Sequence, residues 1–339
     1  MNLQILWYGL VGLLLAGYFI LEGYDYGIGI LLPFLSKDDR ERRVLLNAMG
    51  PFWLGNETWL VAAFGAMFAA FPRWYGTFLS SLYGFVLLLI FSLILRGAAL
   101  EFRSHRASKR WRGFWDLVIC GGSIVPGLVW GVIAAALVQG LPLDAQLRFV
   151  GTPWQLLTPL ALLWGLTFIA LFALQGALFL RLRVDATITM RVERAARRLW
   201  IPALFMVVLL AIAGAFVSQA MLRLLVVPWI APLSVLVPLL FFIAGQLIQR
   251  QRWWLALIST SLSMLCGVLA LAMSLFPHLL LSSLQPTWSL TVERAAAASS
   301  SLVLLTWVAL IFLPIIIAYQ TLGYWIFRKR LNMRSRLHY

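Results

Sequence analysis

The sequence predicts an all-α integral membrane protein with nine transmembrane helices, its N-terminus outside the cell and its C-terminus in the cytoplasm. Three observations support this fold class. Hydrophobic residues make up 62% of the 339 residues. Charged residues make up only 12%, whereas a soluble domain carries roughly 25%. The apolar residues form long runs, and the basic residues fall into the loops between the runs. We treat residues 1–339 as a single transmembrane domain.

Nine apolar runs are long enough to cross a bilayer, which takes about 20 residues of helix. The first run is not expected to be a cleavable signal, because it lacks a positive start and contains two acids. The nine predicted spans are Leu3–Leu35, Pro51–Phe71, Tyr75–Leu100, Phe114–Val138, Gln155–Leu180, Leu199–Leu222, Pro228–Ile248, Leu255–Phe276 and Leu302–Phe327.

The distribution of basic residues predicts the orientation. One set of loops, with the C-terminal tail, holds 23 of the 27 Lys and Arg residues. The positive-inside rule assigns that set to the cytoplasm. The basic loops follow the first, third, fifth and seventh spans, and the basic tail follows the last span. All of them can lie on one side of the membrane only if the number of spans is odd. The net charge of +15 therefore reflects membrane topology, and no nucleic-acid partner is expected. The other side holds Arg73, Arg148, Arg223 and Arg294.

The first span contains two acids, Glu22 and Asp25, which lie one helical turn apart on the same face. Gly23 and Gly27 have the spacing that lets a neighbouring helix approach closely. Ionisable groups in a bilayer are costly, and they usually face the protein interior or a water-filled path. Two interpretations are open: a packing face whose acids bond to neighbouring helices, or part of a proton path.

The second span carries Asn56 and Glu57 near its cytoplasmic end. We expect Asn56 to form a hydrogen bond across helices. Glu57 shares a face with Trp53. Tryptophan is common in the interfacial aromatic belt, but an acid at that depth needs a partner.

Further charged residues flank the third and fourth spans. Arg96 and Glu101 lie at the inner end of the third span, where we expect them to give polar support. Asp116 is predicted to open the fourth span, where the helix dipole favours an acid. Five acids fall in the predicted cytoplasmic half and suggest that protons or cations enter from that face: Glu22, Asp25, Glu57, Glu101 and Asp116.

The histidines argue against a haem in this chain. His105 lies in a cytoplasmic loop, His278 at an outer helix end and His338 in the tail, so none is well inside a predicted span. Haem between helices needs axial ligands such as His or Met. A single His278 ligand is less favoured than a solvated interfacial histidine. We expect the isolated chain to bind no haem. Cys120 and Cys266 are far apart and suggest neither a metal pair nor a disulfide framework.

The same stretches resemble subunit II of the cytochrome bd quinol oxidases. The resemblance is dense over residues 1–142, thinner in the middle, and returns over residues 276–327. The matching motifs are Glu22-Gly23-Tyr24-Asp25-Tyr26-Gly27-Ile28-Gly29, Arg42-Arg43, Asn47–Pro51, Trp53 with Gly55-Asn56 and Trp59-Leu60, Phe68–Pro72, Leu95-Arg96, Glu101-Phe102-Arg103, Lys109–Arg112, Trp115-Asp116, Gly121-Gly122-Ser123 with Pro126, Gln139–Pro142, and Thr306-Trp307 to Pro314.

The resemblance implies a haem-free subunit of a terminal quinol:oxygen oxidoreductase of the respiratory chain. Such a chain lies in a bacterial or archaeal cell membrane and pairs with a similarly folded subunit I, often with a small third single-helix subunit. Haems b558, b595 and d are expected in subunit I, and none in this chain alone. Some members hold a quinone as a structural lipid.

The resemblance also implies site residues. Glu22, Asp25 and Asp116 match acids of a proposed proton path in some members. Some members carry Asp where this chain has Leu54, so one polar step of that path is missing here unless Glu57 or water replaces it.

Two other functions are compatible with the residues alone. A proton-coupled secondary transporter would use Glu22, Asp25 and Glu57 as its coupling site. Transporters often break paired helices near the midplane; here the acids lie off-centre, and the sequence has no repeated Gly/Pro break. A scaffold that shields a partner's cofactors from lipid differs from the oxidase subunit only in whether the acids conduct protons.

The charge asymmetry makes a testable prediction about topology. A reporter that is active only in the cytoplasm, fused to the tail that begins at Arg328, should be active. The same reporter inserted into the predicted outer loop Gln139–Trp154 should be inactive. A tail reporter that works only outside the membrane would rule out the nine-span orientation.

Overall fold

The computed structural model describes residues 3–185 and 188–332. The predicted tail residues Arg334, Arg336 and His338 lie outside this part of the chain. The α-helices are α1 (Leu3–Leu35), α2 (Asp39–Met49), α3 (Trp53–Ala70), α4 (Pro72–Ser81), α5 (Tyr83–Phe102), α6 (Lys109–Gln139), α7 (Pro159–Arg183), α8 (Thr189–Val217), α9 (Gln219–Val226), α10 (Ala231–Gln249), α11 (Trp253–Leu275), α12 (Val292–Ala295) and α13 (Ser299–Ile326).

Eight helices of the described residues are long and apolar enough to cross a membrane: α1, α5, α6, α7, α8, α10, α11 and α13. The chain is therefore an all-α multi-pass membrane protein. The second predicted span corresponds to α3, which has 18 residues and is not among the eight. Asn56 and Glu57 lower its hydropathy in the first turns. The number of nine spans and the orientation stay predictions.

Several helix boundaries differ from the sequence prediction. The third predicted span, Tyr75–Leu100, is divided into α4 and α5, which are separated by Leu82. The sixth, Leu199–Leu222, is divided into α8 and α9 at Ser218, whose hydroxyl donates to the Val138 carbonyl and caps α9. The basic stretch after the first span forms α2, because the Asp38 carboxylate accepts a hydrogen bond from the Glu41 amide and caps it.

Helix α1 is the centre of the bundle. It packs against α3, α6, α7 and α11. Every residue from Glu22 to Leu32 is buried. A helix that is buried on all sides has neighbours around its whole circumference.

Gly27 allows the closest helix contact in the core. A Cβ atom at Gly27 would lie 1.8 Å from the Phe172 carbonyl oxygen, and one at Gly176 would lie 2.4 Å from the Gly27 carbonyl carbon. The two glycines therefore face each other where α1 crosses α7. At Gly23 the nearest atom to a Cβ would be the Phe172 ring at 3.0 Å, which is a looser contact.

The last helix is attached differently from the others. In α13 only Leu302 is buried among the described residues. Between α13, α1 and α3 lies a cleft of about 1250 Å³ that is lined mostly by apolar side chains. Before α13, the predicted outer loop Pro277–Ser301 forms a small hairpin in which β1 (His278–Leu280) pairs antiparallel with β2 (Leu290–Thr291).

The glycine contact predicts a large effect of adding one methyl group. Gly27→Ala should destabilise the chain by about 1–3 kcal/mol, because overpacking forces two backbones apart. The matched control on the same helix is Gly9→Ala, since a Cβ there would meet no atom within 4 Å. Thermal unfolding in detergent measures both variants. Equal melting temperatures for the two would contradict the close crossing of α1 and α7.

Candidate functional site

The core of the bundle contains a buried ion cluster centred on Arg96. Its guanidinium pairs with the Glu22 carboxylate, and Arg96 Nη2 lies 2.9 Å from Glu57 Oε1. The side chains of Arg96 and Glu22 are 0% exposed, and that of Glu57 is 20% exposed. The Arg96 Cζ atom also lies 4.6 Å from the centre of the Tyr26 ring. The cluster therefore joins α5, α1 and α3 at one point.

Asn56 connects the second acid of α1 to the last helix. The Asn56 amide nitrogen donates to Asp25 Oδ2 at 2.7 Å and to the Tyr24 hydroxyl at 2.5 Å. The Asn56 carbonyl oxygen accepts from Gln320 Nε2 at 2.7 Å and from the Tyr324 hydroxyl at 3.2 Å. A single buried amide thus bridges α1, α3 and α13.

Glu22, Asp25, Glu57 and Arg96 form what we call the central cluster, which has more acids than bases. Glu22, Asp25 and Glu57 carry three carboxyl groups, and Arg96 supplies one guanidinium. Four buried polar atoms of this cluster have no hydrogen-bond partner among the described residues: Glu22 Oε2, Asp25 Oδ1, Arg96 Nε and Arg96 Nη1. Buried polar atoms in proteins are usually paired with protein groups or ordered water. The cluster therefore has hydrogen-bonding capacity beyond what its own side chains use.

Asp116 belongs to a second ion cluster nearer the basic end of the bundle. Its carboxylate accepts from Arg42 Nη1 at 2.6 Å and from Arg103 Nε at 2.5 Å. Arg103, which is 1% exposed, also binds Asp39 Oδ1 at 2.8 Å, and Arg112 Nη1 binds Asp39 Oδ2 at 2.6 Å.

The expectation that Asp116 opens its helix is wrong. Helix α6 begins at Lys109, two turns earlier. Aromatic and basic residues just before Asp116 extend the helix, so the dipole argument does not apply at this position. Arg42 and Arg103, rather than a helix N-terminus, stabilise the Asp116 carboxylate.

The two clusters are connected through α5 and the helical turn that follows it, which begins at Arg103. Arg96 and Arg103 are seven residues apart in sequence, which corresponds to about 10 Å along a helix. The buried α5 side chains between them are Ala99 and Leu100. No polar side chain of α5 therefore links the two clusters.

Two of the sequence-predicted residues lie outside both clusters. Glu101 is exposed, lines the cleft, and forms no ion pair within the described residues. Leu54 is 64% exposed and also lines the cleft. The polar neighbours of Leu54 in α3, Asn56 and Glu57, face the buried acids instead.

Several contributors were not identified from the sequence. Arg42 and Arg103 were identified only as basic-loop residues and as parts of the motifs that carry the family resemblance, and Asp39 was not singled out. Gln320 and Tyr324 lie inside the last span, where polar side chains are uncommon, and that position alone could have indicated a buried partner. Arg96 was expected to support the site, but its position between Glu22 and Glu57 depends on which helices are neighbours.

The described residues do not fit a haem held by two histidines. His105 precedes α6, and His278 is the first residue of β1, which follows α11 at the other end of the bundle. Burial and the nearby Arg223 lower the pKa of His278. Within residues 3–185 and 188–332 no group of three or more His, Cys, Asp or Glu side chains could hold a metal ion.

An apolar helical bundle organised around a buried arginine and its acids defines a multi-pass membrane protein with a charged core. The sequence profile of cytochrome bd terminal oxidase subunit II matches residues 3–327. The chain belongs to this family.

Individual relatives agree with the profile. The chain is 34% identical to cytochrome bd ubiquinol oxidase subunit 2 of Bacillus subtilis, over 100% of this chain and 99% of that protein. It is 32% identical to cytochrome bd-I ubiquinol oxidase subunit 2 of Escherichia coli K12, over 95% of this chain and 93% of that protein.

A solved structure has the same fold. A chain in the structure of bd oxidase from Geobacillus thermodenitrificans superposes with a TM-score of 0.75 at 20% identity, over 96% of this chain and 99% of that chain.

Family membership confirms the resemblance seen in the sequence. The chain is subunit II of a cytochrome bd-type quinol oxidase complex and lies in the cell membrane as a multi-pass protein. The alternative of a proton-coupled transporter is not favoured, because the profile and the named relatives are all oxidase subunits.

The Asn56 bridge predicts how α13 is held. Asn56→Leu keeps the size of the side chain but leaves Asp25, Tyr24 and Gln320 without this partner. Hydrogen–deuterium exchange of the α13 peptide that contains Gln320 should increase, because an inter-helix hydrogen bond typically contributes about 1 kcal/mol.

The control for Asn56→Leu is Thr321→Val. The Thr321 hydroxyl donates only to the carbonyl of Ile317 in its own helix, at 2.7 Å. This variant should leave the exchange of α13 almost unchanged. Equal exchange in wild type and Asn56→Leu would show that α13 is held by other contacts.

Proposed function

We propose that the chain is the haem-free half of the oxidase and brings protons from the cytoplasm towards a haem-bearing subunit I. The observation that carries this proposal is the central cluster, with three carboxyl groups around one buried guanidinium. A structural cluster would need only enough acid to neutralise the arginine. The surplus carboxyl groups are the type of group that can take up and release a proton.

The unpartnered atoms support a role for water in the central cluster. Glu22 Oε2 and Asp25 Oδ1 are buried and have no hydrogen-bond partner among the described residues. A buried polar atom left without a partner costs about 1–3 kcal/mol. Water bound at these two atoms would complete their hydrogen bonds. It would also lengthen the hydrogen-bonded network along which a proton can move.

The proposed route has two stages. The Asp116 cluster lies at the basic end, where Arg42 is 31% exposed and in contact with solvent. The Arg96 cluster lies about 10 Å deeper, on the basis of the helical rise. The apolar side chains Ala99 and Leu100 lie between them on α5. Water must therefore carry the proton across this gap.

The partner subunit is proposed to cover α13. This helix has 28 residues, and only Leu302 is buried among the described residues. Helices in membranes associate through close packing and inter-helix hydrogen bonds. Helix α13 has hydrogen bonds to its neighbours at Thr306, Gln320 and Tyr324, but little close packing along its length. Haems b558, b595 and d are assigned to this partner, since the described histidines do not fit one here. A small third subunit remains an expectation from the resemblance.

The apolar cleft fits the tail of a structural quinone. It has a volume of about 1250 Å³ and is lined by Trp59, Leu313 and other apolar side chains of α1, α3 and α13. Gln320 of α13 and Thr58 of α3 are among the polar residues that line it. A molecule with a long apolar tail and a carbonyl head would have its tail in the cleft and its head near the Gln320 amide.

The proton proposal is tested by Asp25→Asn in the assembled complex. Asparagine keeps the size and hydrogen bonding of aspartate but cannot ionise. Quinol-driven oxygen uptake should fall about tenfold or more, since general acid–base groups contribute on the order of 10²–10⁴. Asp116→Asn should reduce the rate less, because Asp116 lies next to Arg42, which is in contact with solvent, so protons can reach the deeper acids from water at that end.

Haem content of the purified complex is the control for assembly. Asp25→Asn should retain the wild-type haem content, so that a slower rate reports proton transfer. If Asp25→Asn assembles and turns over at the wild-type rate, the central acids are structural. The protons would then enter through the partner subunit.

A further inference from the structure

A second pocket lies at the end of the bundle opposite the basic loops. It has a volume of about 470 Å³ and is lined by parts of α4, α12 and the loop between α6 and α7. Its polar lining residues are Arg73, Thr77, Ser80, Gln146 and Arg294. No carboxylate is among the lining residues, so the pocket presents mainly hydrogen-bond donors.

The two arginines of this pocket are unusual for their location. The outer set of loops carries only four of the 27 basic residues, and two of those four line this one pocket. Basic residues are normally sparse on that side of a membrane protein. Arg73 and Arg294 form no side-chain ion pair or hydrogen bond within the described residues, whereas Arg148, another arginine of the outer loops, is paired with Asp144.

The carboxylate of Asp144, in the loop that lines the pocket, is already paired with Arg148. Asp144 accepts from Arg148 Nε at 2.9 Å and from the Arg148 amide at 2.8 Å. These hydrogen bonds hold the pKa of the Asp144 carboxyl below its usual range. Glu293 precedes Arg294 in α12 but does not line the pocket. The positive charge of the two pocket arginines is therefore not cancelled from within the pocket.

The pocket lies at the level expected for lipid headgroups. Thr77 and Ser80 come just before α5, whose apolar run begins at Tyr83. Tyr83 is 67% exposed, and Trp154 in the neighbouring loop is 78% exposed. Exposed Tyr and Trp side chains are typical of the membrane–water interface.

From this donor set we infer that the pocket formed by Arg73 and Arg294 binds a phosphate group. Guanidinium groups bind phosphate oxygens through paired, charge-assisted hydrogen bonds. The Thr77 hydroxyl and the Gln146 amide nitrogen can donate to the remaining oxygens, whereas the Ser80 hydroxyl donates to the Thr77 carbonyl at 3.1 Å. The phosphate belongs either to the headgroup of an anionic phospholipid in the outer leaflet or to a free anion, and the interfacial level favours the lipid.

The test uses the assembled oxidase complex after removal of lipid in detergent. Native mass spectrometry measures retention of added phosphatidylglycerol, with inorganic phosphate as a separate probe and competitor. Arg73→Gln and Arg294→Gln should each weaken binding about tenfold, and the double variant should abolish it. Arg223→Gln is the matched control, since it removes an outer arginine that donates to the Ser274 carbonyl and does not line the pocket.

Each outcome either supports or overturns the proposed phosphate site. Loss of lipid binding only in the pocket variants, without competition by phosphate, supports the site and identifies a lipid. Phosphate binding that is lost in the same variants supports the site and identifies a free anion. Retention of both probes by the double variant overturns it. Release of the partner subunit with unchanged lipid retention also overturns it, because the arginines would then serve a protein contact.

Discussion

The ion pair between Arg96 and Glu22 is the constraint on which the rest of the structure depends. Both side chains are fully buried, and an uncompensated buried charge is strongly destabilising. Arg96 lies in the third predicted span and Glu22 in the first, so the pair can form only if the long Arg96 side chain of α5 reaches the face of α1 that carries Glu22. Glu57 binds the same guanidinium and brings α3 to the same point. One charge thus specifies the relative positions of three helices.

The central position of α1 follows from this constraint and from its glycines. Gly27 allows α7 to approach on one side, while Glu22 and Asp25 face polar partners on α5 and α3. The same helix therefore has a packing face and a charged face. The two interpretations of the acid pair are compatible in the structure, because acids that bond to neighbouring helices also lie where a proton could be held.

The sequence predicted the fold class and the location of the acids, because both depend on local composition. Long apolar runs identify spans, and an acid inside such a run is conspicuous. The sequence did not predict the pairing of Arg96 with Glu22, since 74 residues separate the two and only helix packing brings them together. The position of Asp116 was misjudged for a similar reason: the start of α6 was taken from hydropathy, whereas the polar residues from Lys109 onward are also helical. The division between α4 and α5 was missed because no charged residue or proline interrupts the sequence from Tyr75 up to Arg96.

A double-mutant cycle on Glu22 and Arg96 tests the central claim most directly. The measured quantity is the thermal stability of the assembled complex for Glu22→Gln, Arg96→Gln and the double variant. We predict that each single change costs about 3–5 kcal/mol, because it leaves one buried charge unpaired. The double variant should be more stable than the less stable single variant. Strictly additive losses would show that the two side chains do not interact, and would contradict a fold organised around their ion pair.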